Sequence, residues 1–264
     1  MAPTLNTQNP TVCMEALQLA GKIIMENGGE TYRAEETICR MGEGFGLREV
    51  ESIAVPSGLF ISYRAADDQL ETSVKRVRRQ GRNLTRVDEA NRVSRMVSAG
   101  QMSCEEAYRE LQKIETMPGP FQRAWGIAAA FLCAAGFAAL FGGMWLDLAI
   151  AGAAAAVVQA VSMLMEKAHM KWLASAIFGG FLTALLPHLV KALLPGLQAD
   201  VVIAGAVMPL VPGLAITNAV QDAMRGDMVS GLSHGAQALL TACLIAGGAL
   251  LSFGLLRLIG GGGF

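Results

Sequence analysis

The chain has 264 residues, 53% of them hydrophobic and 16% charged, with a formal net charge of −1. So apolar a composition excludes an ordinary soluble protein of this size, and the lack of a strongly basic domain argues against nucleic acid as a partner. Lys, Arg, Asp and Glu number 33 over residues 1–123 and only 10 over 124–264, a division that suits a bilayer, where a charge left in hydrocarbon costs at least about 2.5 kcal/mol.

Residues 1–10 are polar and no signal-type apolar segment follows, so the first domain is expected to stay on the side of synthesis. Residues 11–27 read as an amphipathic helix ended by Gly28-Gly29, and 30–41 as a second helix with Glu30 in its first turn. The period then changes to two. Residues 49–55 and 59–64 alternate like strands about a Pro56-Ser57-Gly58 turn, Asp67-Asp68 marks another turn, and 71–78 is a third strand. Thr85 with Asp88, and Ser103 with Glu106, are capping-box patterns opening helices near 86–99 and 104–115. Met117-Pro118-Gly119-Pro120 is the linker. These elements predict an N-terminal α+β cytoplasmic domain over 1–120.

The remainder, 121–264, reads as an α-helical membrane bundle of about five transmembrane helices, near 124–146, 148–165, 172–190, 201–220 and 231–256. Each approaches the ~20 apolar residues a bilayer core requires. The abundant Gly and Ala allow close helix packing. With the first domain inside, the inner loops carry Lys167, Lys171 and Arg225 and the outer loops only Lys191, a modest positive-inside bias. Five spans put the C-terminus, with Arg257, outside. No internal repeat is evident, and an odd-numbered bundle without one suggests half of a transporter.

Five scattered cysteines without CxxC spacing, and only three histidines, predict free thiols rather than a zinc site or a disulfide framework. No Walker-type loop or nucleophile–base pair is evident, so neither a cofactor, a metal nor an enzymatic activity is expected. Lys75, Arg76, Arg78, Arg79, Arg82 and Arg86 form a run without an acid, which suits either a solvated surface or anionic headgroups.

The most informative stretch is Met208-Pro209-Leu210-Val211-Pro212-Gly213. Two prolines and a glycine break an apolar span, and freed backbone groups at membrane depth need protein or a water-filled cavity to satisfy them. Beyond the break, Thr217, Asn218, Gln221 and Asp222 line one face of the second half-helix, whose N-terminus near Gly213 favours anions. Pro212, Gly213, Thr217, Asn218, Gln221 and Asp222 are therefore the expected substrate or ion path, with Asp222 carrying the proton and Asn218 binding solute. The competing reading is a proline kink with Asp222 at the membrane boundary beside Arg225. Secondary candidates are His188 and His234, as proton carriers, and Glu30, Arg33 and Glu35, in a charge-dense helix start.

Asn27-Gly28-Gly29-Glu30-Thr31-Tyr32-Arg33-Ala34-Glu35 resembles the opening motif of the bacterial threonine/serine exporter family. Ile53-Ala54-Val55-Pro56-Ser57-Gly58, Val211-Pro212-Gly213, Asn218, Asp222 and Gly226-Asp227 resemble its later motifs, so the resemblance spans about 12–257. It implies a secondary exporter of small polar metabolites driven by the proton motive force. It also implies the larger subunit of a split form, completed by a small all-membrane partner in a homo- or hetero-oligomer, with threonine, serine or a dicarboxylate such as succinate as solute. The alternative is a membrane-anchored regulatory or ligand-binding module whose soluble domain does the work.

Overall fold

The computed structural model describes residues 9–65, 68–78, 81–119, 123–168, 170 and 172–259. Asp67 of the expected turn, Arg79 of the basic run, Pro120 of the linker and Lys171 of an inner loop lie outside the described residues. The protein is mostly helical, with a small sheet near its N-terminus and long apolar helices behind it. It is a membrane protein with an α+β N-terminal part.

Two compact units result. The first begins with α1 (Pro10–Glu26), entered through an Asn9 cap whose side chain accepts from the Thr11 amide, and α2 (Thr31–Gly44). Three strands follow, β1 (Arg48–Val55), β2 (Gly58–Arg64) and β3 (Leu70–Arg76), in an antiparallel meander of order β1-β2-β3. Val55 pairs with Gly58, so the first hairpin closes over the two residues Pro56 and Ser57. The pairing slips between Arg48 and Glu51, where Glu49 takes a positive φ of 51°, a bulge that interrupts the alternation expected for this strand.

Helices α3 (Leu84–Ser98) and α4 (Cys104–Thr116) pack on α1 and α2, the two helices that lie against the sheet. Ser103 and Glu106 form the expected capping box. The expected Thr85–Asp88 cap is corrected: Asn83 caps α3 two residues earlier, accepting from the Arg86 amide, because asparagine competes well for that position. Arg86, at the end of the basic run, donates to the Met117 carbonyl at 2.9 Å from Nε. The core is built from Leu17, Ile23, Ile24, Ile38, Leu59, Ile61 and Leu111, all essentially inaccessible.

Cys13 and Cys104 join α1 to α4 as a buried disulfide across 91 residues, with their Cα atoms 5.1 Å apart. The expectation of free thiols fails there, because spacing along the chain carries no information about which helices pack. Cys39, Cys133 and Cys243 are free.

The first unit also takes in Leu214–Gly235 from the apolar half of the chain. The second holds 121–213 and Ala236–Phe264. It contains α5 (Arg123–Leu140), α6 (Trp145–Lys167), α7 (Trp172–Leu193) and α8 (Ala199–Val207). A 3-10 turn, Met208–Leu210, ends α8, and α9 (Gly213–Met224) and α10 (Met228–Ile259) complete the chain.

Helices α6, α7 and α10 are each long and apolar enough to cross a membrane. The expected fourth span is a pair of helices, Ala199–Leu210 and Gly213–Met224, bent by 60°. It makes a fourth crossing if the pair is counted as one. The first expected span is shorter, its apolar part running Ala124–Leu140. It ends at Gly142, whose φ of 82° and the Gly143 N–H to Ala138 carbonyl bond make a Schellman stop.

Small residues let the second unit's helices approach closely. Ala130, Ala134 and Ala138 of α5 pack with Ala151 and Ala155 of α6 and Val202 of α8. Large apolar side chains point outward instead: Leu140, Trp145 and Leu193 are 78%, 75% and 81% exposed, as lipid-facing residues are.

Candidate functional site

The site grows from the broken helix. Pro209 and Pro212 each lack an amide donor, so the ladder of α8 cannot continue into α9. The chain turns through the Val211 N–H to Met208 carbonyl bond, 3.2 Å, and restarts at Gly213, whose N–H reaches the Val211 carbonyl at 2.8 Å. Pro212 is buried and Gly213 exposed.

Along α9 the expected polar stripe divides. Asn218 and Asp222, four residues apart and hence on one face, are buried, while Thr217 is exposed. Gln221 is half-buried, and its Oε1 has no hydrogen-bond partner among the described residues.

Asp222 is the centre. It is 0% exposed. Its Oδ1 accepts from the Thr31 hydroxyl at 2.6 Å, and its Oδ2 lies 2.9 Å from His234 Nδ1. Thr31 opens α2, His234 lies in the second turn of α10, and all three residues belong to the first unit. A buried carboxylate is tolerable only when its oxygens are so occupied.

Around this pair, Arg225 is not the partner of Asp222 that the boundary reading supposes. Its guanidinium stacks on the Tyr32 ring, 3.5 Å from the centroid. Asp227 instead caps α10 by accepting from the Ser230 amide at 3.1 Å. Ser230 is buried, and its hydroxyl reaches the Ala54 carbonyl at 3.5 Å. The Ala54 amide in turn donates to Glu35 at 2.7 Å. Partial burial pushes the Glu35 carboxyl above its ordinary range; the Ala54 N–H opposes this, and the nearby Asp227 and Asp222 reinforce it.

The other secondary candidates separate. Glu30 occupies the N-cap of α2 without a side-chain cap and pairs with Arg33 Nε at 2.9 Å. His188 sits in α7 of the second unit, where its Nδ1 lies 3.0 Å from the Ala184 carbonyl and its ring meets Phe253 edge-on. It therefore has a setting unlike that of His234.

Sequence reasoning missed two groups. Thr31 lies in the quoted opening motif, but nothing in its spacing announces a partner 191 residues away. Asp147 falls at the edge of an expected span. It is 2% exposed and accepts from the Met144 and Gln198 amides at 2.9 and 3.0 Å, so it caps α6 and fixes the entry to α8. The one available signal was a lone acid among apolar residues.

The family model described as "Putative threonine/serine exporter" matches residues 15–256. Among curated relatives, a "Probable threonine/serine exporter" of Mycobacterium tuberculosis is 23% identical over 86% of this chain and 43% of its own length. A "Probable succinate transporter subunit YjjP" of Escherichia coli is 25% identical over 86% of this chain and 88% of its own. Its Klebsiella aerogenes namesake is 24% identical over 82% and 83%. The chain thus spans less than half of the first relative and most of the other two. No solved structure matches it significantly. With the family model covering nearly the whole chain, from the first helix to the end of the last apolar one, the protein belongs to the threonine/serine exporter family.

Proposed function

We propose that this chain is a subunit of a secondary exporter that moves small polar metabolites across the bacterial inner membrane, coupled to protons. The observation that carries this reading is Asp222, wholly buried at the foot of a broken apolar helix and held between a hydroxyl and an imidazole. Asp222 and His234 share a hydrogen bond along which a proton can pass between carboxylate and ring, as membrane proton relays do. Asn218, one turn earlier on the buried face of the helix that restarts after Pro212, hydrogen-bonds the polar end of the solute.

The solute is threonine, serine or a dicarboxylate such as succinate, the classes in the relatives' names. The relative named a subunit supports a transporter of more than one subunit, and in this reading a small all-membrane partner supplies the other half. The N-terminus is cytoplasmic and the C-terminus periplasmic in this reading.

Proteoliposomes holding the chain, with and without a candidate small all-membrane partner, test this by counterflow of labelled succinate and threonine under a pH gradient. Asp222→Asn is expected to insert normally and to lose proton-driven flux, and Asn218→Ala and Pro212→Ala to slow it. Wild-type flux with unchanged pH dependence in Asp222→Asn would remove Asp222 from the path.

A further inference from the structure

The first unit carries a polar cavity of about 290 Å³ beside the Tyr32–Arg225 stack. That is near the small end of the ~300–1,000 Å³ typical of ligand pockets. Its lining is unusual in charge: the guanidinium groups of Arg33, Arg40, Arg95 and Arg225 face one carboxylate, Glu36. Three elements supply them. Arg33, Glu36 and Arg40 follow one face of α2 at helical spacing, Arg95 lies in the last turn of α3, and Arg225 follows the end of α9.

The four cations are not equivalent. Arg40 is bonded to Glu36, and Arg33 to Glu30. Arg95 and Arg225 have no carboxylate within ion-pair distance among the described residues. Arg225 is nevertheless held in place, by stacking on Tyr32. The neutral lining adds donors: the Thr37 hydroxyl bonds to Asn91 Oδ1 at 3.2 Å, which leaves the Asn91 amide nitrogen to donate. The cavity is thus rich in donors and poor in acceptors, with two unmatched planar forks on two different elements. A guanidinium fork takes a carboxylate through two parallel bonds. Two such forks suit a ligand with two separate carboxylates better than a single-centred anion.

We propose that this cavity is a binding site for a small dicarboxylate, separate from the buried Asp222 site. The proposal rests on the reading of the chain as an exporter of carboxylate-bearing solutes, and it narrows the solute class. Because the arginines are solvent-exposed, binding is weak and salt-sensitive, which suits a solute present in the cytoplasm at high concentration.

Equilibrium dialysis of the detergent-purified full chain with labelled succinate tests it, with inorganic phosphate and threonine as competitors. Arg95→Gln and Arg225→Gln are each expected to weaken succinate binding about five- to tenfold, the loss of one exposed charged contact. Arg95 is exposed, so Arg95→Gln is expected to keep the fold, which unchanged thermal unfolding verifies. Threonine should compete poorly, and phosphate less well than succinate. Absence of succinate binding, binding indifferent to both substitutions, or phosphate competing as well as succinate overturns the proposal. The two readings fail separately: export without Arg95-dependent binding sinks this site and spares the exporter, and Arg95-dependent binding without export does the reverse.

Discussion

Replacing Thr31 by valine tests the buried contact at the heart of the site. Valine keeps the branched shape and volume and deletes only the hydroxyl that donates to Asp222 at 2.6 Å. Both groups are buried, Thr31 at 1% and Asp222 at 0% exposure, so no water replaces the lost donor. A hydrogen bond to a charged group contributes about 1.5–3 kcal/mol, and an orphaned buried acceptor lies at the upper part of that range. For a chain of this length each kcal/mol lowers the unfolding midpoint by roughly 2–4 °C, so Thr31→Val should unfold about 3–12 °C below wild type. Thr31→Ser, which retains the hydroxyl, should recover most of the loss. In the Asp222→Asn background the bond is between neutral groups and the cost of Thr31→Val should fall to about 0.5–1.5 kcal/mol. Differential scanning fluorimetry of the detergent-purified proteins reads all four. A Thr31→Val protein as stable as wild type, or one whose deficit is the same with Asn at 222, would refute the contact.

Two further perturbations follow from other parts of the molecule. A Cβ at Gly180 would stand 2.0 Å from the Ile245 carbonyl oxygen, and one at Gly248 2.1 Å from that of Ile177; since backbone must move in either case, Gly180→Ala and Gly248→Ala should each cost at least about 1–3 kcal/mol by overpacking, read as lower yield of folded protein by size-exclusion chromatography, whereas Gly247→Ala, with open space around it, should be silent. Glu35 has a folded-state pKa above its ordinary 4.5, so its contribution to stability is fully present below that value and is lost as pH rises through the raised one. The stability difference between wild type and Glu35→Gln should therefore drift against wild type as pH climbs above 4.5 and then level; a difference flat across that window would show that Glu35 keeps its ordinary titration.

The local elements were legible because their determinants are local. Alternation found the three strands to within two residues, and Pro56-Ser57 closed the hairpin where turn chemistry places it. The break at Pro212 follows from missing amide donors, and the structure bends the chain there by 60°. The candidate site was half legible. Asp222 and Asn218 stood out as polar residues in an apolar segment, and both are buried. What holds Asp222 was not legible: Thr31 lies 191 residues away, and its pairing depends on Leu214–Gly235 joining the unit of the N-terminal elements. Hydropathy assigned that segment to the bundle, since composition reports solvent and not packing partners. The same blindness to long-range packing hid the Asp147–Gln198 link and the pairing of Cys13 with Cys104.

That cysteine pair and the proposed orientation pull in opposite directions, which makes the pair a reporter. Bacterial cytoplasm keeps thiols reduced, and the periplasm oxidises them. If α1 and α4 face the cytoplasm, Cys13 and Cys104 are thiols in the growing cell and close into the bridge only on oxidation. Their burial keeps alkylating reagents out of the folded protein, so cells must be quenched in acid, denatured, and only then treated with N-ethylmaleimide. Mass spectrometry should then find both cysteines alkylated, and a peptide pair still joined by a disulfide would place the domain on the oxidising side and reverse the topology. Protein purified in air should carry the bridge. Closing a loop of 91 residues lowers the entropy of the unfolded chain by an amount equivalent to about 4.6 kcal/mol at most. Reduction should therefore lower the stability of the purified protein by up to about that much, and it should change nothing in Cys13→Ala/Cys104→Ala. A purified chain whose unfolding is indifferent to reductant would show that the bridge does not form at all, and the test of orientation would then pass to reporters fused at the two termini.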